Sequence, residues 1–307
     1  MSMLANVTKG KIVRPALIAI YGPGGIGKST WGAKAPAPIF LGSEEGTDHL
    51  DTARFPTPKS YEDVLQAVKE LMDEKHDFQT LVVDSLDWIE PLIFNFICRR
   101  HSKSSIELAA GGYGKGYGEA FDEWKDLVKK FSELRDKRKM NIILLAHPET
   151  TNTTNPQTQL TYQRFELKLH KKTKAMIVEY IDALFFAGYE MYQSKQGDEL
   201  KVFKSNKRVL YCVHDHNDGF DAKNRYGLKD PIPMSMPWEE FIELCKIKPF
   251  EFPPIEELLH KINRLIPAVK DEKTKTLVME TLEKNQDNVP MLAKILEKLK
   301  ALTGETV

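Results

Sequence analysis

Cysteine is scarce in this chain, with three in 307 residues: Cys98, Cys212 and Cys245. They are isolated, odd in number and form no CxxC pair, which excludes a disulfide framework and points to a reducing, cytoplasmic compartment. Long apolar runs are absent as well. No stretch approaches the ~18 consecutive apolar residues that cross a bilayer, and no apolar segment followed by a cleavage site opens the sequence, so neither a membrane partner nor export is expected. Net charge is also missing, since 44 Lys+Arg face 44 Asp+Glu. That excludes a highly basic nucleic-acid coat and a disordered acidic tail. What remains is 41% apolar and 29% charged content, ordinary for a globular protein long enough to bury a core without staples.

The neutrality conceals an uneven distribution. Residues 1–42 carry 5 basic and 0 acidic groups, 43–90 carry 4 and 13, and 91–238 carry 24 and 18. A local basic surface is therefore compatible with a neutral whole.

Short apolar runs at Leu17–Tyr21, Pro38–Leu41, Thr80–Val83 and Asn141–Ala146 read as buried strands. Between them lie amphipathic patterns: one starting at Ser60 with Asp63 three residues on, one over 86–101, and one marked by Phe121, Trp124, Leu127, Val128, Phe131 and Leu134. Strands apolar on both faces and alternating with helices predict an α/β fold with a mostly parallel central sheet flanked by helices. Residues 102–118 break the pattern with glycines, and the Thr- and Asn-rich stretch from Pro148 to about Gln163 reads as a functional or mobile loop. A helix is expected over Lys171–Tyr180, then hairpin-linked strands at 183–189, 200–204 and 209–213. The proline-rich stretch Pro249–Pro254 marks the boundary between a core, 1–248, and a small helical C-terminal module, 249–307, with helices near 255–266, 271–285 and 289–302.

Gly22-Pro23-Gly24-Gly25-Ile26-Gly27-Lys28-Ser29, followed by Thr30, matches GxxxxGK[ST] between a strand and a helix. Backbone N–H groups in such a loop converge on phosphate oxygens, and the helix N-terminus adds favourable dipole charge. Lys28 would neutralise β- and γ-oxygens, and the Ser29 hydroxyl would ligate Mg²⁺. Asp84, closing the 80–83 strand, supplies the carboxylate of a Mg²⁺ shell, so ATP and Mg²⁺ are the expected cofactors. Glu44 and Glu45, just past the second strand, are candidates to orient the attacking water, and His147, at the tip of the 141–146 strand, is placed to sense a γ-phosphate.

In this order these segments resemble the RecA-like P-loop NTPase core. Tyr21 to Thr30 is similar to its Walker A and Leu81-Val82-Val83-Asp84-Ser85 to its Walker B. Phe40-Leu41-Gly42-Ser43-Glu44 is similar to the strand bearing the catalytic glutamate, which selects Glu44 over Glu45, and Ile143 to His147 resembles the strand ending in its switch residue. Gly114-Lys115-Gly116-Tyr117, His170-Lys171-Lys172 and Asp221 to Leu228 resemble a narrower group, the phage-encoded RecA-like single-strand annealing proteins, or Sak-type recombinases. The resemblance covers about residues 14–240. It implies an ATPase that binds single-stranded DNA, promotes annealing or recombination, and works as a homo-oligomer, ring or filament, with ATP between subunits. A single-strand DNA-binding protein is the further partner to test for. The alternatives are a nucleotide-gated loading or assembly factor and a helicase- or packaging-type motor. The resemblance also implies a cation from the neighbouring subunit at the γ-phosphate. Lys201, Lys204, Lys207 and Arg208, with Lys223 and Arg225, form a basic set on the late strands, and Arg225 or one of these lysines is the candidate.

Two segments read as DNA contacts. The glycine-rich stretch 111–118 carries Tyr113, Lys115 and Tyr117, and rings that stack on bases beside positive charge hold single strands at ~1–3 kcal/mol per base. The second runs from Arg164 to Lys174 and includes Lys168, Lys171 and Lys172.

Overall fold

The computed structural model describes residue 7 and residues 12–42, 47–155, 158–196, 199–213, 219–247, 255–269, 271–286 and 288–303. The chain divides into two compact units, one of Met1–Met72 with Phe78–Lys248, the other of Asp73–Asp77 with Pro249–Val307.

In the larger unit the order is β1 (Leu17–Tyr21), α1 (Lys28–Gly32), β2 (Pro38–Gly42), β3 (Ala53–Arg54), α2 (Tyr61–Asp73), β4 (Thr80–Asp84), α3 (Leu86–Arg100), α4 (Lys115–Lys137), β5 (Asn141–Ala146), β6 (Pro148–Thr154), β7 (Thr161–Leu167), α5 (Lys171–Tyr180), β8 (Ala183–Gln196), β9 (Glu199–Tyr211), β10 (Lys223–Asn224), β11 (Ile232–Pro233) and α6 (Trp238–Cys245). The sheet runs β11-β9-β8-β1-β5-β4-β2-β3, with β10 on β8. From β8 to β3 the pairs are parallel. The other end is antiparallel.

Period-two alternation divides the core. Leu17, Ala19, Tyr21, Leu81, Val83, Ile142 and Leu144 face one layer with α2, α3 and α4, whose Val64, Ile93 and Trp124 are fully buried. Ile18, Ile20, Val82, Ile143 and Leu145 face the other with Trp31 of α1 and Trp238 and Phe241 of α6. Continuous apolar strands are what a sheet covered on both faces requires. The start of α2 is fixed by a reciprocal cap, Asp63 N donating to Ser60 Oγ at 3.3 Å and Ser60 N to Asp63 Oδ2 at 3.0 Å.

Three expectations are corrected. α4 begins at Lys115, so Gly116, Tyr117 and Gly118 lie in its first turn rather than in a free loop. A Cβ at Gly116 would lie 2.2 Å from Ile106 O, so glycine serves a close approach there. The polar stretch after His147 is a regular antiparallel hairpin, β6 with β7, in register from Pro148↔Leu167 to Thr154↔Thr161. The two late strand patterns 200–204 and 209–213 belong to a single strand, β9, paired along β8.

The smaller unit holds α7 (Ile255–Leu265), α8 (Glu272–Glu283) and α9 (Val289–Thr303) around Leu258, Ile262, Leu265, Leu292, Ile295 and Leu299. Among the described residues no helix is long and apolar enough to cross a membrane.

Candidate functional site

The sheet positions the site. β5 lies between β1 and β4, with Tyr21 opposite Ala146 and Asp84 opposite Leu145, while Gly42 of β2 pairs with Asp84. The ends of four strands are therefore level, and they carry their terminal residues and connecting loops to one edge: the glycine loop after β1, Asp84 closing β4, and His147 after β5. Glu44 and Glu45, just past β2, lie outside the described residues.

Gly25 and Gly27 hold left-handed backbone, φ 74° and 104°, which turns the loop into α1. Gly22 is required for a different reason: a Cβ there would stand 2.3 Å from Ala187 O of β8. Lys28 is 6% exposed and donates through Nζ to Gly22 O at 2.7 Å and Pro23 O at 3.1 Å. Burial pushes its ammonium below the ordinary lysine range, against the pull of Asp84 and Asp87. Ser29 Oγ donates to Asp84 Oδ2 at 2.5 Å. A hydroxyl and a carboxylate facing each other beside a phosphate loop are the donor pair that a hexacoordinate Mg²⁺ takes from protein, with water and phosphate oxygens completing the shell. These residues fit the ion.

His147 is held on both sides of its Cα by one carboxylate: its backbone N donates to Asp87 Oδ1 at 3.0 Å, and its Nδ1 lies 2.9 Å from Asp87 Oδ2. Burial opposes ionisation of Asp87, but the hydrogen bonds from His147 and Ser85 outweigh it and hold the carboxyl below the usual range. One turn on, Glu90 accepts the backbone N of His170, at 3.0 and 3.1 Å from its two oxygens, and burial raises its pKa. Asp87 and Glu90 were not singled out in the sequence. Their signal is the three-residue spacing Asp84, Asp87, Glu90, which carries a strand-end carboxylate onto one face of the next helix.

The proposed DNA residues divide into free and engaged groups. Tyr113 is 99% exposed with φ 53°. Lys115, Lys168, Lys171 and Lys172 are exposed and make no ion pair with any described residue. Tyr117 is engaged: its ring stacks on His170 at 4.8 Å and 8°, meets Phe94 edge-on, and its hydroxyl donates to Glu107 at 2.9 Å. Arg164 is engaged too, with Nη2 2.5 Å from Glu166 Oε1, while Lys174 bridges Glu149 and Glu166 at 2.7 Å each. The Tyr117–His170 stack joins the start of α4 to the start of α5, so two basic segments far apart in sequence meet. Arg225 lies beside Asp182, ahead of β8, with Nη2 donating to Glu179 O at 2.9 Å. That is the end of the sheet opposite the chain's own phosphate loop. Arg208 of β9 lies at that loop, its Nη1 3.2 Å from where a Gly27 Cβ would stand.

Strand, glycine loop and helix with a buried lysine, and a carboxylate on the serine hydroxyl, define a P-loop domain of the α/β class. Residues 14–226 match the family described as AAA domain, well over half the chain, and the protein belongs to that family. Over 132 residues it is 24% identical to the SPbeta prophage-derived uncharacterized protein YorG of Bacillus subtilis (strain 168), a match covering 42% of this chain and 39% of that protein. The chain thus spans less than half the length of that curated relative.

Proposed function

We propose that this protein is a phage ATPase that uses ATP and Mg²⁺ to control its grip on single-stranded DNA, and that it promotes annealing or recombination as a homo-oligomer. The loop N–H groups and Lys28 would bind the phosphate oxygens, and Ser29 and Asp84 would hold a Mg²⁺ that would neutralise developing charge. Water oriented by Glu44 attacks the γ-phosphorus as the bond to the β–γ bridging oxygen breaks, giving ADP and inorganic phosphate. The prophage origin of the relative supports the phage context.

The observation that carries the DNA part is the position of His147. It ends the strand between the phosphate loop and Asp84, and its carbonyl accepts the backbone N of Lys168 at 3.0 Å, next to the unpaired lysines of α5. A group beside a γ-phosphate is thereby one hydrogen bond from the basic segment.

The test is ATP hydrolysis and nucleic-acid binding measured side by side with single-stranded DNA, double-stranded DNA and RNA at several salt concentrations. Single-stranded DNA should raise the rate. Its affinity should fall with salt at a slope of about −0.7 per neutralised phosphate, or about −3 if four lysines each meet one. No stimulation and no salt-dependent binding would refute the DNA reading and favour a nucleotide-gated assembly factor.

A further inference from the structure

Asp87 belongs neither to the phosphate loop nor to the Ser29–Asp84 pair, yet it sits at the same edge of the sheet. Its side chain is 12% exposed, against 45% for His147, whose ring it meets. Its charge also attracts the buried Lys28 ammonium. Asp87 is the second residue of α3, where an acidic side chain facing solvent would need no explanation beyond the helix dipole. Here its two oxygens divide between two groups of one residue: Oδ1 accepts the His147 backbone N–H at 3.0 Å, and Oδ2 lies 2.9 Å from Nδ1.

Glu90, one turn on, supplies the contrast. Both of its oxygens take the backbone N–H of His170, and the His170 ring is left to stack on Tyr117. Anchoring the backbone therefore does not by itself place a carboxylate on the ring. At His147 the ring is held too, and the carbonyl accepts the Lys168 backbone N–H at 3.0 Å, so the residue is fixed at three points. An ionised carboxylate can only accept hydrogen bonds, and those from His147 and Ser85 favour that form of Asp87. Its partner at Nδ1 must then be an N–H, which leaves the lone pair of a neutral ring on Nε2. Nε2 lies on the far side of the ring from Asp87 and has no hydrogen-bond partner among the described residues.

We propose that Asp87 is a positioning residue for hydrolysis: it fixes His147 as the Nδ1–H tautomer and presents Nε2, as a hydrogen-bond acceptor, at the edge of the sheet that carries the phosphate loop. The inference rests on the ATPase reading above and adds to it the direction of the hydrogen bond that His147 makes. A neutral ring of this tautomer offers nothing to a phosphate oxygen, which is itself an acceptor. It suits a water. One O–H of the attacking water would go to Nε2 and the other to Glu44, which leaves a lone pair for the γ-phosphorus. The buried aspartate of a Ser-His-Asp triad serves its histidine in the same way, holding tautomer and orientation without taking the proton.

The experiment begins with nuclear magnetic resonance of the full chain carrying ¹⁵N in its histidine rings, where protonated and lone-pair nitrogens resonate apart, with His147→Ala to assign the signal. Without nucleotide, wild-type His147 should carry its proton on Nδ1. In Asp87→Asn the amide can still accept the backbone N–H through Oδ1 but donates to Nδ1 through Nδ2, so the ring proton should move to Nε2. Steady-state hydrolysis with Mg²⁺ and ATP reads the consequence. Asp87→Asn should lower kcat about tenfold or more with KM within about threefold of wild type, and should change kcat less than about twofold when added to His147→Ala. A wild-type proton on Nε2 overturns the inference, and so does a smaller loss of kcat in Asp87→Asn. An equal loss with and without His147 overturns it as well, because that is what a purely structural aspartate would give. A wild-type chain that holds its proton on Nδ1 but hydrolyses no ATP would overturn the ATPase reading and this inference with it, and the spectrum separates that result from a failure of the Asp87 clamp.

Discussion

Gly22 and Gly24 sit two residues apart in one loop, yet the structure assigns them opposite sensitivities. A Cβ at Gly22 would stand 2.3 Å from Ala187 O and 3.1 Å from Ala187 C, both backbone atoms of β8. An ordinary C···O contact needs about 3.3 Å, so Gly22→Ala must part β1 from β8 by roughly 1 Å at the point where the loop begins. Forced expansion of a packed interior costs about 1–3 kcal/mol, which lowers the melting temperature by about 2–12 °C in a unit of this size. At Gly24 a Cβ meets nothing within 4 Å, so Gly24→Ala should change stability by no more than about 0.5 kcal/mol. On the proposed nucleotide reading, its methyl would instead intrude on the bound phosphates. Thermal unfolding by circular dichroism, with and without ATP and Mg²⁺, separates the two effects. At a hundredfold excess over Kd the ligand stabilises wild type by about 2.7 kcal/mol, and a tenfold weaker site loses about 1.4 kcal/mol of that. Wild-type melting of Gly22→Ala would refute the close approach of β1 and β8, and a full ATP-induced shift in Gly24→Ala would refute the phosphate cradle.

Lys28→Met should abolish measurable ATP binding in calorimetry while keeping the unfolding free energy within about 1 kcal/mol, because burial already disfavours the charged ammonium. The Asp87 carboxyl, ionised more readily in the fold than in the unfolded chain, contributes stability that is present above the unfolded carboxyl range, near pH ~4, and is lost as pH falls through its lower folded value. Asp87→Asn should therefore be less stable than wild type at pH 7 in urea unfolding, with the gap closing below about pH 4. Tyr113→Ala should cost about 1–3 kcal/mol in single-stranded DNA binding at unchanged melting temperature. Tyr117→Ala should instead lower the melting temperature, since its ring packs on His170 and Phe94, with each aromatic pair worth about 0.5–1.5 kcal/mol.

The phosphate loop, Asp84 and the strand ends were legible in the sequence because each is a local pattern: an apolar run, then a residue with a defined task. The start of α4 was not, because glycine argues against helix by propensity, while Gly116 is there for its contact with Ile106 O. The β6–β7 hairpin escaped because β6 is threonine, asparagine and glutamate on both faces, and β7 puts Tyr162 on one face and Phe165 on the other among polar residues, so period two leaves no clear hydropathy signal. Arg208 read in the sequence only as one member of the basic set on the late strands. Its place beside Gly27 comes from β8 and β9 folding back beside β1.

The same limit applies to charge. Counting lysines and arginines treats Arg164, Lys174, Lys168 and Lys171 alike, yet the first two are held by Glu149 and Glu166, and the last two meet no carboxylate among the described residues. A cation already in a good ion pair gains little from a second anion, since it must give up the first, and the carboxylate left behind would repel the newcomer. Availability for a polyanion is therefore set by pairing. Pairing takes Arg164 and Lys174 out of the proposed DNA contacts, and their network instead ties the β6–β7 hairpin to α5. It leaves Lys115, Lys168, Lys171 and Lys172 unpaired near the Tyr117–His170 stack. A neutral chain can thus keep cations available for an anion in one region while pairing them off in another.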